Sequence, residues 1–403
     1  VAHQVSFVGK ALRVLGALLR VVLGVLAAIV FVVAVFELTE PDPAPRAART
    51  DDWYLRHETK LSIELPGLTL QYFDGDRLWA NRYDEVWRSD DVDGERWTRV
   101  GSIGPAGAGL VHWARHAARA SRTSAVLGRE PGIAGLLVLR SGVILAARPP
   151  HLFRSGDGGA SWESVLRLAD SEPRRGLFRD WGVDGRGRVW VAERGGAAGR
   201  GRLLRSDDDG ATFAEAWALP ADVPGRIRLL RIDPLRGRPW VAVGGGGAER
   251  QLGWVDEIDQ YQRVGGGEPW YEVSDLVFTG AEVFLVNALP HGPAGVWRYS
   301  RARGTVEQIG ELAGPAVNAT LLLNETLVVS TAAAGLGAQD VQLWFRDVGG
   351  EVRQLAQIPR YRRAGRADWG TLLFAAGEPL PDLRFTAERV GRIQRSVVVG
   401  ARR

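Results

Sequence analysis

Arginine and carboxylate side chains fall together at several points of the chain, often beside an aromatic or amide residue. The groups are Arg179, Asp180 and Trp181; Arg226 and Arg228; Tyr271, Glu272 and Asp275; Asn318; and Arg366, Asp368 and Trp369. A guanidinium pairs bidentately with planar oxyanions, so such groups suit a carboxylate, a sulfate or a sugar acid. The aromatic rings could stack on sugar faces. Arg179, Asp180, Trp181, Arg228, Asp275, Asn318, Arg366 and Asp368 are therefore the ligand-binding candidates, and no residue is assigned as catalytic. The same residues have a plainer account as solvated loop positions and ion pairs in an arginine-rich chain.

Metal chemistry has little to stand on. His112 and His116 are spaced i, i+4, but no third ligand accompanies them. The acidic runs Asp90-Asp91-Val92-Asp93 and Asp207-Asp208-Asp209 suit calcium, yet they fall in turns that need Asp for their own backbone bonds. With no Cys there is no disulfide, thiolate site or cysteine nucleophile. No metal and no cofactor are expected.

These residues must be held by elements spread over 403 positions, enough for several small domains or one large repeat domain. The hydrophobic share of 45% and the charged share of 24% are globular values. Net charge is only +4 and scattered, which argues against a nucleic-acid partner. Only two of the 51 Lys and Arg residues are lysines, a bias that points to a GC-rich genome more than to function.

Residues 1–38 read as a cytoplasmic stub and a membrane anchor. Val14 to Phe36 is an almost wholly apolar run of 23 residues. At 1.5 Å per residue it spans about 35 Å, enough for a hydrocarbon core of roughly 30 Å. Lys10, Arg13 and Arg20 lie before or early in it, whereas Glu37, Glu40 and Asp42 follow. The positive-inside rule keeps the N-terminus in the cytoplasm and places the remainder in the periplasm or outside the cell. A cleaved signal peptide is the rival reading, with a shorter apolar stretch and an A-x-A-like site. Residues 39–59, with Pro41, Pro43 and Pro45, read as a stiff spacer.

Residues 60–403 read as a repeat. Short apolar segments ending in a small residue recur at Ala80, Ala146, Ala192, Ala242, Val286, Ser330 and Ala375. Their spacings are 66, 46, 50, 44, 44 and 45 residues, which marks a repeat architecture with an insertion in the first interval. Each unit carries short strand-like runs split by turn residues, such as Ser141-Gly142 and Asn324-Glu325. Four antiparallel strands per unit, about seven times over, predict an all-β ring of small sheets.

The turn from third to fourth strand carries the sharpest motif. Ser155, Asp157, Gly159 and Trp162 fit S-x-D-x-G-x-x-aromatic, and so do Ser206, Asp208, Gly210 and Phe213. Ser89, Asp91, Gly94 and Trp97 match with one extra residue. The Asp accepts backbone N–H bonds, the Gly supplies a positive φ, and the aromatic anchors the hairpin between sheets.

This motif, in register with the period, resembles the Asp-box or BNR repeat of sialidase-like, sortilin-like and photosystem II assembly-factor-like β-propellers. The repeat count predicts a seven-bladed β-propeller, with six blades as the alternative, and the resemblance implies a purely structural role for the twelve box residues. It also implies ligands near the axis, on loops entering the innermost strands. Leu61 to Leu65, pairing onto a last sheet built from residues 366–403, would close the ring. A sialidase needs an early F/Y-R-I-P motif, which is absent, and the adjacent Tyr271 and Glu272 would diverge on an extended chain.

The insertion, about 105–130, contains an Ala-rich helical stretch with Arg115, Arg119 and Arg122 on one face and Trp113 on another. It suits a packed side decoration, an anionic lipid surface or a partner. Together these features lead to a membrane-anchored extracytoplasmic binding or assembly module for a protein or glycan. A glycosidase using axial carboxylates is the alternative.

Overall fold

The computed structural model describes residues 22, 24–25, 28–29, 49–54, 60–66, 68–94, 96–104, 132–169, 178–195, 200–220, 225–245, 248–287, 294–332, 340–358, 370–390 and 393–401. The chain divides into two compact units, 1–44 with 107–131, and 45–106 with 132–403. In the first, residues 22, 24, 25, 28 and 29 are helical, and Val22, Val25 and Ile29 are exposed. Among the described residues no helix is long and apolar enough to cross a membrane. The expected anchor at 14–36 and the helical insertion at 105–130 lie almost wholly outside the described residues.

The second unit is all β. Six blades are built from four consecutive strands each: blade 1 over 69–102, blade 2 over 135–167, blade 3 over 181–218, blade 4 over 226–266, blade 5 over 273–312 and blade 6 over 316–358. This matches the six-bladed alternative. A further sheet is composite, in the order Arg49–Tyr54, Lys60–Pro66, Ile393–Ala401, Arg384–Val390, Thr371–Leu373. Lys60–Pro66 runs antiparallel to Ile393–Ala401 with Leu61 opposite Gly400, so the N-terminal strand is stitched to the C-terminal one. Arg49–Tyr54, within the expected spacer, pairs as a strand with Lys60–Pro66.

First strands of neighbouring blades pack on one another, blade 1 on 2, 3 on 4, 4 on 5 and 5 on 6, which puts them at the hub. The composite sheet lies between blades 6 and 1, with Leu70, Leu343, Leu372, Phe374 and Phe385 in one core layer. This is a β-propeller.

Burial explains the strand sequences. Second strands are covered on both faces, so they open on apolar runs and every residue of Val189–Glu193 and of Leu327–Thr331 is buried. Fourth strands form the rim and turn polar, as in Glu163–Arg167. Between sheets, Trp190, Leu203, Leu230 and Val241 fill one layer and Trp240, Leu252, Leu276 and Leu285 the next. Each such side chain contributes roughly 1.5–3 kcal/mol by leaving water.

Two of the motif turns fold alike. Ser155 Oγ donates to Asp157 Oδ1 at 2.8 Å and accepts the Gly159 N–H at 2.8 Å, while the Ser161 N–H reaches Asp157 Oδ1 at 2.9 Å. Ser206, Asp208, Gly210 and Thr212 repeat that pattern at 2.7, 2.8 and 2.9 Å. The aromatics are partly buried, Trp162 bonding the Gly159 carbonyl and Phe213 packing on the core between blades 2 and 3. Blade 1 departs from this because of its extra residue. Ser89 Oγ donates to the Asp91 carbonyl at 2.7 Å, where Ser155 and Ser206 donate to a carboxylate, and Trp97 bonds Gly94 O at 2.8 Å.

A second turn device pairs an Asp with a Trp of the following strand. Between first and second strands, Asp74 caps the N–H groups of Asp76 and Arg77 and accepts the Trp79 indole at 2.7 Å. Asp184 does the same for Arg186, Arg188 and the Trp190 indole. The signal was present as an Asp five or six residues before a strand Trp.

Candidate functional site at the propeller hub

The hub is crossed by a network centred on Asp275, the third residue of the first strand of blade 5, Val273–Phe278. Arg231, from the first strand of blade 4, donates from Nε to Asp275 Oδ1 at 2.7 Å. Arg179, at the entrance to blade 3, approaches Oδ2 at 3.5 Å, and the Ala319 N–H of blade 6 donates to the same oxygen at 3.0 Å. Arg179 also donates through Nη2 to the carbonyl of Phe374 in the composite segment, while its own carbonyl accepts Arg231 Nη1 at 2.6 Å. Blades 3, 4, 5 and 6 and the composite sheet thus meet through one carboxylate and two guanidiniums. Burial and the charge of Arg231 pull Arg179 down to about 10, against the favourable pull of Asp275.

Asn318 sits in the same hub. Its Nδ2 donates to the Leu372 carbonyl at 2.6 Å and to Ser330 Oγ at 3.3 Å. Trp181 is buried edge-on against Phe178 at 5.4 Å in the layer between blades 2 and 3, so its ring is core. Arg366 and Asp368 lie outside the described residues.

A second cluster lies where the blades connect. Asp180, immediately before the first strand of blade 3, takes Arg194 Nε and Nη2 on Oδ2 at 2.9 and 2.7 Å. Glu272, immediately before the first strand of blade 5, bridges Arg228 at 2.9 Å and Arg250 at 3.0 Å. The Arg194 carbonyl accepts the Ile227 N–H at 2.9 Å, which brings blade 3's connection against Arg226 and Arg228. Desolvation lowers the pKa of Arg228, and Arg226, Arg250 and Arg194 press it down further against the pull of Glu272. Tyr271 turns away from Glu272, stacking on Trp270 at 3.7 Å, and burial raises the pKa of its hydroxyl.

Of the predicted candidates, the structure therefore brings Arg179, Asp275 and Asn318 to the hub, and Asp180 and Arg228 to the connection end. Their partners Arg194, Arg231, Arg250 and Glu272 were not among the candidates. Glu272 stood beside Tyr271 and Asp275 in one of the charged groups, and Arg231 showed only as a charge breaking an apolar run; Arg194 and Arg250 had no local signal. No group of three or more metal-ligating side chains occurs among the described residues.

No family model matches the chain, and no curated protein does. Among solved structures, an oligogalacturonate lyase in complex with manganese is 9% identical, covers 89% of this chain and 98% of its own, with a TM-score of 0.56. The fold is shared. TolB from Acinetobacter baumannii (12% identical, 83% and 79% covered) and a putative TolB from Agrobacterium tumefaciens (14%, 67% and 91%) both give a TM-score of 0.40.

Proposed function

We propose that the chain is a membrane-anchored, extracytoplasmic β-propeller, related to the Asp-box propellers, that binds a protein or glycan partner at the connection end of its hub and does not turn it over. The observation that carries this reading is the state of the hub carboxylates. Asp275 is held by Arg179, Arg231 and a backbone N–H, and Asp180 by Arg194. A glycosidase needs one carboxyl free to give a proton and a second facing it about 5–10 Å away. Carboxylates whose oxygens are taken up by guanidiniums and a backbone N–H are placed as counter-charges. The two repeated Ser–Asp–Gly turns support the family relation, and the apolar run at 14–36 with its flanking charges supports the anchor and its orientation.

Incubating the full chain in detergent with a panel of aryl glycosides tests the reading. No turnover is expected. Turnover that disappears in Asp180→Asn or Asp275→Asn contradicts it. A reporter fused after Arg403 tests the topology, with activity expected only outside the cytoplasm.

A further inference from the structure

The connection-end cluster carries more positive charge than it can use internally. Among the described residues it holds four guanidiniums, Arg194, Arg226, Arg228 and Arg250, against two carboxylates, Asp180 and Glu272. Arg194 takes Asp180, whereas Arg228 and Arg250 must share the two oxygens of Glu272. Arg226 is exposed at the start of the blade 4 strand with no carboxylate partner among the described residues. Arg228 Nε is buried without a hydrogen-bond partner, so a donor is left over at the point of greatest crowding.

The crowding is built into the backbone. A β-bulge between Ile227 and Leu229 breaks the strand register at Arg228. Gly244 lies directly against both arginines: a Cβ there would be in contact with Arg250 Cα at 3.4 Å and Arg228 Cδ at 3.8 Å. Like charges held this close cost stability unless an anion joins them. A charge-assisted bond to such an anion is about twice as strong as a neutral one.

We propose that this mouth binds the oxyanion group of an acidic ligand, with Arg226 and Arg228 as the direct contacts and Arg194 and Arg250 as flanking charges. The inference rests on the binding-module reading and gives it a ligand chemistry. Carboxylates and phosphates share that chemistry. Glu272 acts as a built-in competitor, neutralising Arg228 and Arg250 while the mouth is empty and yielding part of that contact to the ligand.

Calorimetric titration of the full chain in detergent with digalacturonate, citrate, inorganic phosphate and neutral galactose tests this. At least one anionic probe should bind saturably and galactose should not. Arg228→Gln should weaken binding about tenfold or more, Arg226→Gln by a smaller factor, and tenfold more salt should weaken it further. Glu272→Gln should tighten binding severalfold, a direction that loss of structure does not produce. Arg226→Gln sits at an exposed position, so it remains readable if Arg228→Gln does not fold. The relative response to citrate, digalacturonate and phosphate tells a carboxylate source from a phosphoryl one. Absence of saturable binding by every anion, or binding indifferent to both Arg226→Gln and Glu272→Gln, overturns the inference. Either result leaves the glycoside turnover test, and hence the broader reading, standing separately.

Discussion

Arg231 Nε lies 2.7 Å from Asp275 Oδ1, joining the innermost strands of blades 4 and 5 across the hub of the ring. The Asp275 side chain is 2% exposed, and the same carboxylate serves Arg179 and the backbone of blade 6. Removing it strands two guanidiniums at the hub. Asp275→Ala should therefore lower stability by about 3–5 kcal/mol, and urea unfolding checks this. Asp275→Asn should cost less, because one oxygen still accepts a bond. A loss below about 1 kcal/mol in the Ala variant would show that the network is not structural.

The two Ser–Asp–Gly turns predict an acid dependence. Hydrogen bonds from the side chain and backbone of Thr212 and from Ser206 hold Asp208 down at about 2, below its ordinary 3.8. The matching bonds from Ser161 and Ser155 depress Asp157. A folded-state value below the unfolded one means stability that is present above about pH 4 and lost as pH falls through the folded value. Asp208→Asn should lower Tm at pH 7 and flatten the decline of Tm between pH 4 and pH 2. An unchanged acid slope would refute the assignment.

Blades 1 and 2 meet through two glycines. A Cβ on Gly101, in the fourth strand of blade 1, would lie 1.8 Å from the carbonyl oxygen of Gly159 in the neighbouring turn. Gly159 itself has φ +101°, where a side chain is strained. Gly101→Ala should cost about 1–3 kcal/mol by pushing the turn off its neighbour, measured as a fall in the urea midpoint at constant slope.

Trp190 is 1% exposed, with the guanidiniums of Arg188 and Arg205 each 5.5 Å from its ring and its indole N–H on Asp184 at 2.9 Å. Trp190→Phe keeps most of the apolar volume but leaves Asp184 short of one donor. Chemical unfolding should show a loss of about 1–3 kcal/mol, and Trp190→Ala about 3–5 kcal/mol.

How much of this was legible in the sequence follows from what is local. Paired apolar runs around Ser141-Gly142 and the Ser155–Trp162 motif are complete within a dozen residues, so strands and turns could be read directly. The closure of the ring was also readable, because Leu61–Leu65 was a strand without a unit and residues 366–403 a unit short of a strand. The motif turn of blade 1 keeps its residue types, but its Ser89 hydroxyl donates to the Asp91 carbonyl and not to a carboxylate. Ion-pair partners were invisible: Asp275 finds Arg179 96 residues away and Arg231 44 residues away, and only the closed ring brings them together. Trp181, beside two charged neighbours, read as a ligand contact but packs as core because the strand pleat turns it inward.

The central claim is a hub that holds its ligand without breaking it, and it is tested most directly by recovering that ligand. Whichever of digalacturonate, citrate and phosphate binds saturably is incubated with the full chain in detergent, then the bound fraction is released and identified by mass spectrometry. The account predicts that this anion is recovered intact, retained by the unaltered chain and lost from Arg226→Gln and Arg228→Gln. Cleaved product that accumulates with time and vanishes in Asp180→Asn or Asp275→Asn would contradict it.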